Sequence, residues 1–243
     1  MKNTNDLTKR IIAVDVEMAL KKFANAEKAK LLAGFFKTGK GQYGEGDVFW
    51  GVMVPQTRQI VKQFNKLPLV EVGKLLLSPI HEVRLCAILI LVHQFEFAED
   101  LTRKQIVRFY LNHTKYINNW DLVDLSAPKI LGEWLVGKDK KILYKLAKSK
   151  NIWERRIAVL SSFAFVARGD STDALKISKM LLTDTHDLIH KSVGWMLREV
   201  GKRCSRIEEE GFLKKYYRAM PRTMLRYSLE HFPKTLRKKY MRV

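Results

Sequence analysis

Apolar residues recur at three- and four-residue intervals almost everywhere outside positions 38–55, and the strict alternation of a half-buried strand is scarce. That period belongs to helices with one buried face. It predicts an all-α protein with helices over 6–24, 26–37, 55–66, 69–77, 80–97, 101–113, 119–137, 140–149, 152–168, 171–183, 186–202, 205–218, 221–231 and 234–241. Pro55 stands at a first helical turn, where its missing N–H costs nothing. The interruption, Gly39-Lys-Gly41-Gln-Tyr-Gly44-Glu-Gly46, formally reads G-x-G-x-x-G. It follows a helix instead of a strand, so it lacks the context of a dinucleotide site, and its glycines are expected to shape a long connection.

Laid over one another by their helix starts, four segments repeat: Ser78-Pro-Ile-His-Glu-Val-Arg84, Thr114-Lys-Tyr-Ile-Asn-Asn-Trp120, Ser149-Lys-Asn-Ile-Trp-Glu-Arg155 and Thr185-His-Asp-Leu-Ile-His-Lys191. Each opens on a hydroxyl residue, and the steps 84 to 120, 120 to 155 and 155 to 191 are 36, 35 and 36 residues. A two-helix unit of this length cannot bury its apolar face alone, so neighbours must stack, which predicts a HEAT-like helical-repeat solenoid. A degenerate fifth unit would carry Arg226 at the equivalent place. The organisation expected is one domain over 1–243, with N-terminal helices and the glycine-rich loop in 1–55 and stacked helical pairs in 56–243. With Val123, Ala158 and Gly194 as the core direction, rotation of about 100° per residue puts Trp120, Arg155 and Lys191 about 60° away, Asp124 and Trp195 about 100°, and Arg156 about 160°. One stripe then carries two indoles, a carboxylate and several cations.

Charge narrows the function classes. Lys and Arg total 45 against 25 Asp and Glu, a formal +20, while apolar residues make up an ordinary 47%. Such a surplus calls for a polyanion: nucleic acid, an acidic membrane surface or an acidic protein. No run of about 18 apolar residues suggests a membrane span. Residues 1–22 mix apolar and charged positions unlike a signal peptide, so cytoplasmic residence is expected. Cys86 and Cys204 lack Cys-x-x-Cys spacing and read as buried free thiols. His186 and His190 share a helical i, i+4 spacing without the intervening Glu of a zinc motif, so no metal site is expected.

Several residues have both a chemical and a plain reading. Asn118-Asn119-Trp120-Asp121-Leu-Val-Asp124 combines a capping asparagine pair with a Trp120/Asp124 pair one turn apart; equally, Trp120 could be core and both aspartates could serve the helix dipole. Arg155 and Arg156 sit in a first helical turn, where cations are disfavoured, so something anionic must compensate: a phosphate, or the neighbouring Glu154. Trp195 is a second indole, core or ligand. Arg58 touches phosphate or is solvated. Glu208-Glu-Glu210 reads as a solvated acidic face, and the tail Lys234 to Arg242 as a strip that follows a phosphate backbone or merely solubilises.

Together, Asn118 to Asp124, Asn151 to Arg156, Lys191-Ser-Val-Gly-Trp195-Met-Leu-Arg198-Glu199, Met220-Pro-Arg-Thr-Met-Leu-Arg-Tyr227, and the loop Lys37 to Asp47 followed by Phe49 to Pro55 resemble the AlkD-like DNA alkylation repair family over nearly the whole chain. The resemblance implies a HEAT-like helical-repeat solenoid that cradles duplex DNA in a basic concave groove and hydrolyses the N-glycosidic bond of positively charged N3- and N7-alkylpurines without burying the base. It further implies Asp124 as the catalytic carboxylate, Trp120 and Trp195 as aromatic walls at the lesion, and Arg156 as a phosphate clamp. Arg155, Lys191, Arg198 and Arg58 complete the expected DNA contacts, with Phe35 where a tyrosine can stand in the family. No cofactor is implied, and a monomer on duplex DNA, nucleoid-associated when bound, is expected.

The residue types suit that chemistry. A cationic purine leaves as a neutral base without a general acid, so what needs stabilising is an oxocarbenium-like sugar, the task of a carboxylate and indole faces. The competing readings are a non-catalytic HEAT-like solenoid that binds DNA structures and an adaptor for acidic peptides.

Overall fold

Among the described residues the apolar stripes fall on helices. The computed structural model describes residues 11–242. Their helices are α1 (Ala13–Lys21), α2 (Ala26–Phe35), α3 (Val54–Gln63), α4 (Leu69–Leu76), α5 (His81–Phe97), α6 (Asp100–Asn112), α7 (Trp120–Ser126), α8 (Glu133–Leu135), α9 (Lys141–Ala147), α10 (Ile152–Ser161), α11 (Phe163–Val166), α12 (Thr172–Met180), α13 (Asp187–Arg203), α14 (Arg206–Tyr216), α15 (Arg222–Ser228) and α16 (Lys234–Met241). Residues 6–10 of the first expected helix lie outside the described residues. The all-α, HEAT-like helical-repeat class is the one found, and no described helix is long and apolar enough to cross a membrane. The chain gathers into two units, Met1–Phe97 and Ala98–Val243.

In the first unit α5 is buried nearly all round, with α1, α3 and α4 packed on it. The glycine-rich connection is tied down by the start of this helix. Buried Glu82 accepts from the amides of Trp50 (3.1 Å), Gly51 (2.7 Å) and Val52 (3.1 Å), and Asp47 meets both Arg84 and His81. Gly51 has φ +81°, and a Cβ there would stand 2.1 Å from the Asn25 carbonyl oxygen, so only glycine lets the segment pass.

In the second unit α7, α10, α13 and α15 pack successively, and α9, α12 and α14 lie against α10 and α13. Val123, Ala158 and Gly194 are buried as the repeat predicts. Two expected helices are broken. In 119–137, Pro128 brings no N–H, and the chain widens into a π-helical turn over Pro128–Gly132, where the Gly132 amide reaches the Ala127 carbonyl at 2.8 Å. In 152–168, α10 ends at Ser161 and α11 starts at Phe163; the Ser162 hydroxyl turns back to Val159 O at 2.6 Å.

Cys86 is buried as expected, whereas Cys204 is half-buried; both are free thiols. The acidic run departs further. Glu209 is fully buried, because its place on α14 turns it against Gly201 of α13, where a Cβ would lie 1.7 Å from its carboxylate.

Candidate functional site

Buried Asn119 caps α7, its side-chain oxygen accepting from the Trp120 amide at 2.8 Å. Asp121, also buried, accepts from the Leu122 amide at 2.9 Å, the dipole-serving role open to it from sequence. Asp124 stands one turn beyond half-buried Trp120 and is taken up by a different partner. Arg156, the fifth residue of α10 and so just past the first turn expected for it, grips it in a fork: Nε donates to Oδ1 at 2.8 Å and Nη2 to Oδ2 at 2.7 Å. The remaining Nη1 donates to the Leu188 carbonyl of α13 at 2.6 Å.

Arg156 therefore joins three successive helices. Its side chain is 6% exposed, although the angular argument turned it farthest from the core. A single core direction does not describe a helix flanked on both sides, as α10 is by α7 and α13. Here the guanidinium is engaged with protein oxygens and positions the Asp124 carboxylate.

That carboxylate is 17% exposed. Desolvation by burial pushes Asp124 above the ordinary carboxylate range; Arg156 pulls the other way by charge and hydrogen bonding, nearby Asp121 adds repulsion, and the net direction is upward. With both oxygens accepting from one guanidinium, the geometry is that of an ionised carboxylate.

The anion expected to compensate these two arginines is thus Asp124 for Arg156 and Asp184 for Arg155, whose Nε donates to Asp184 at 2.7 Å. Glu154 instead accepts from the Thr114 hydroxyl at 2.7 Å. Arg155 also folds back onto the carbonyls of Ser149 and Lys150, as Arg84 does onto that of Ser78. At this recurrent position the arginine ties off the turn before its own helix.

On α13, half-buried Trp195 donates its indole N–H to Glu199 at 3.2 Å, with the Phe163 ring 6.4 Å away. Burial pushes Glu199 up, but Arg203, Trp195 and Arg198 together hold it below the usual carboxylate range. Arg198 also bonds Glu230. Lys191 pairs with Asp187 at 2.7 Å at the surface. His186 accepts from the Leu188 amide at the start of α13, and His190 meets the Asp184 carbonyl, so this histidine pair serves the helix start. Arg58 and Phe35 belong to the first unit; both are exposed, Phe35 at 63% and edge-on to Phe36.

Sequence reasoning missed Asp184, Glu230 and the Leu188 carbonyl. The signal that could have found them is spacing: Asp124 to Arg156, Arg156 to Leu188, Arg198 to Glu230 and Arg155 to Asp184 lie 32, 32, 32 and 29 residues apart. Each bond crosses to the next repeat.

A family model described as DNA alkylation repair enzyme matches residues 16–232. A solved structure described as a predicted DNA alkylation repair enzyme from Enterococcus faecalis is similar with a TM-score of 0.67 and 19% identity, covering 87% of this chain and 97% of that one; at such identity the likeness concerns the fold. No curated protein matches the chain in sequence.

Proposed function

The chain belongs to the DNA alkylation repair enzyme family, and from that membership we propose that it is a DNA glycosylase, hydrolysing the N-glycosidic bond of positively charged N3- and N7-alkylated purines in duplex DNA. The observation that carries this reading is the Asp124 carboxylate, partly exposed, fixed in place by the Arg156 fork and one turn from the Trp120 indole.

A cationic alkylpurine departs as a neutral base once its bond to C1′ lengthens, so no group need protonate it. Charge builds instead on the sugar. Asp124 is the group suited to face that charge, because it is held by the protein before substrate arrives and needs no reorganisation as the bond breaks. Burial makes its oxygens more basic than those of a solvated aspartate, which also suits them to orient water toward C1′. The faces of Trp120 and Trp195 would add cation–π attraction of about 0.5–2 kcal/mol each. Neutral lesions, with no charge on the leaving base, should be poor substrates.

The test is release of free 7-methylguanine and 3-methyladenine from methylated duplex DNA. Asp124→Asn should lower the rate by at least about a hundredfold, the scale of losing one preorganised electrostatic group, while duplex affinity stays near wild type. Normal release by the variant would remove Asp124 from the chemistry. No release by the wild type, with salt-sensitive duplex binding intact, would favour a non-catalytic DNA-binding protein in which the Asp124–Arg156 pair is only a structural tie.

A further inference from the structure

Beyond the tryptophans and Asp124, the second unit carries a cavity of about 320 Å³ lined by Arg198, Arg226, Tyr227, Glu230 and Arg237. Three guanidinium groups border one space against a single carboxylate. Their environments differ in a telling way. Arg226 is exposed and Arg237 half-exposed, and neither has a carboxylate within salt-bridge distance among the described residues; Arg226 lies only over the ring of Tyr227, at 5.4 Å. Arg198 bonds Glu230 and Glu199, yet its Nε is buried with no hydrogen-bond partner. A buried guanidinium N–H without an acceptor is costly.

Glu230 is the informative neighbour. It lies just beyond α15, its side chain is 54% exposed, and it places an oxyanion against Arg198. An exposed carboxylate at a chain turn is held cheaply and leaves cheaply. Arg237 also lines an adjoining cavity of about 330 Å³ with Lys234, Lys238 and Met241. Two cationic spaces sharing one arginine suit an anion that continues from one to the next, and a single free phosphate would leave the second unfilled.

We infer that these cavities hold consecutive backbone phosphates of a DNA strand, that Arg198, Arg226 and Arg237 are the ligands of the first, and that Glu230 occupies its place until DNA displaces it. This rests on the DNA-repair reading above and adds to it a phosphate site and a built-in competitor.

Duplex affinity across a salt series tests it, with wild type beside Arg226→Ala/Arg237→Ala, Glu230→Gln and a charge-matched control, Lys141→Ala/Lys214→Ala, at two exposed cations. Removing the cations that neutralise one phosphate should flatten the slope of log Kobs against log salt by about 0.9. The double arginine variant should show that flattening and bind about tenfold more weakly, the control should keep the wild-type slope, and Glu230→Gln should bind several-fold more tightly. Wild-type slope in the arginine variant, equal flattening in the control, or weaker binding by Glu230→Gln would each overturn the inference. Stabilisation by inorganic phosphate that the arginine variant loses, with duplex binding unchanged, would make this a free-phosphate site and overturn the DNA assignment. Absence of duplex binding by the wild type would sink both this site and the DNA reading, whereas wild-type binding with an indifferent arginine variant sinks the site alone.

Discussion

Asp124 depends on a residue from another repeat, and that dependence can be measured. Arg156→Ala takes away the charge and the hydrogen bonds that pull Asp124 down, leaving burial and Asp121 to push it up unopposed. If base release requires the ionised carboxylate, the rate falls as pH drops through the Asp124 pKa, and in Arg156→Ala that acid limb should move to higher pH. The same change leaves a mostly buried carboxylate unpaired and should cost about 3 kcal/mol of stability. Arg156→Lys keeps the charge without the fork and should fall between the two. A pH–rate profile beside a urea unfolding curve separates the effects; an unmoved acid limb would mean that Asp124 does not titrate in the reaction. Trp120 and Asp124 were legible as a pair because one helical turn joins them. The hold of Arg156 on Asp124 was not, since local periodicity carries no information about a side chain 32 residues away.

Most helix starts were legible, because they fall at the caps Asn25, Asn119, Asn151 and Ser205 or directly after Pro68, Pro221 and Pro233. The π-helical turn at Pro128–Gly132 was hidden because the apolar pattern continues across it. What periodicity also hides is how closely two helices approach. A Cβ at Gly194 on α13 would lie 2.4 Å from the Met224 carbonyl oxygen and 2.6 Å from the Tyr227 Cβ on α15, whereas one at Gly211 on α14 would meet nothing within 4 Å. Gly194→Ala should therefore destabilise by about 1–3 kcal/mol through forced separation of α13 and α15. Gly211→Ala should stabilise by about 0.5–1 kcal/mol, since alanine loses less backbone freedom in a helix. Urea midpoints moving in opposite directions would bear this out; a neutral Gly194→Ala would mean that α15 yields freely.

At the scale of the whole molecule, the formal +20 announced a polyanion but gave no address for it. Stability has its own electrostatic feature in Glu209, which the run Glu208-Glu-Glu210 suggested would be solvated and which is buried. Burial pushes it up to about 8, opposed by Arg206 and reinforced by Glu210. A carboxyl whose folded-state pKa is raised favours the fold while it is protonated. Its contribution is complete below the unfolded value near 4.5 and is lost as pH rises toward 8, on the order of 1 kcal/mol per pH unit. The melting temperature should fall over that range, and Glu209→Gln should flatten the dependence; an equally steep profile in the variant would place the cause elsewhere. The segment between α2 and α3 shows a different kind of economy. Its far end is gripped by Glu82 and by the Asn25 amide bonded to the Trp50 carbonyl, while α1 is joined to α4 through Ala13 and Glu71. Covalent continuity through Gly39 to Gly46 thus adds little to what these bonds already hold, which makes that stretch the natural place in the first unit to open the polypeptide or graft a foreign sequence.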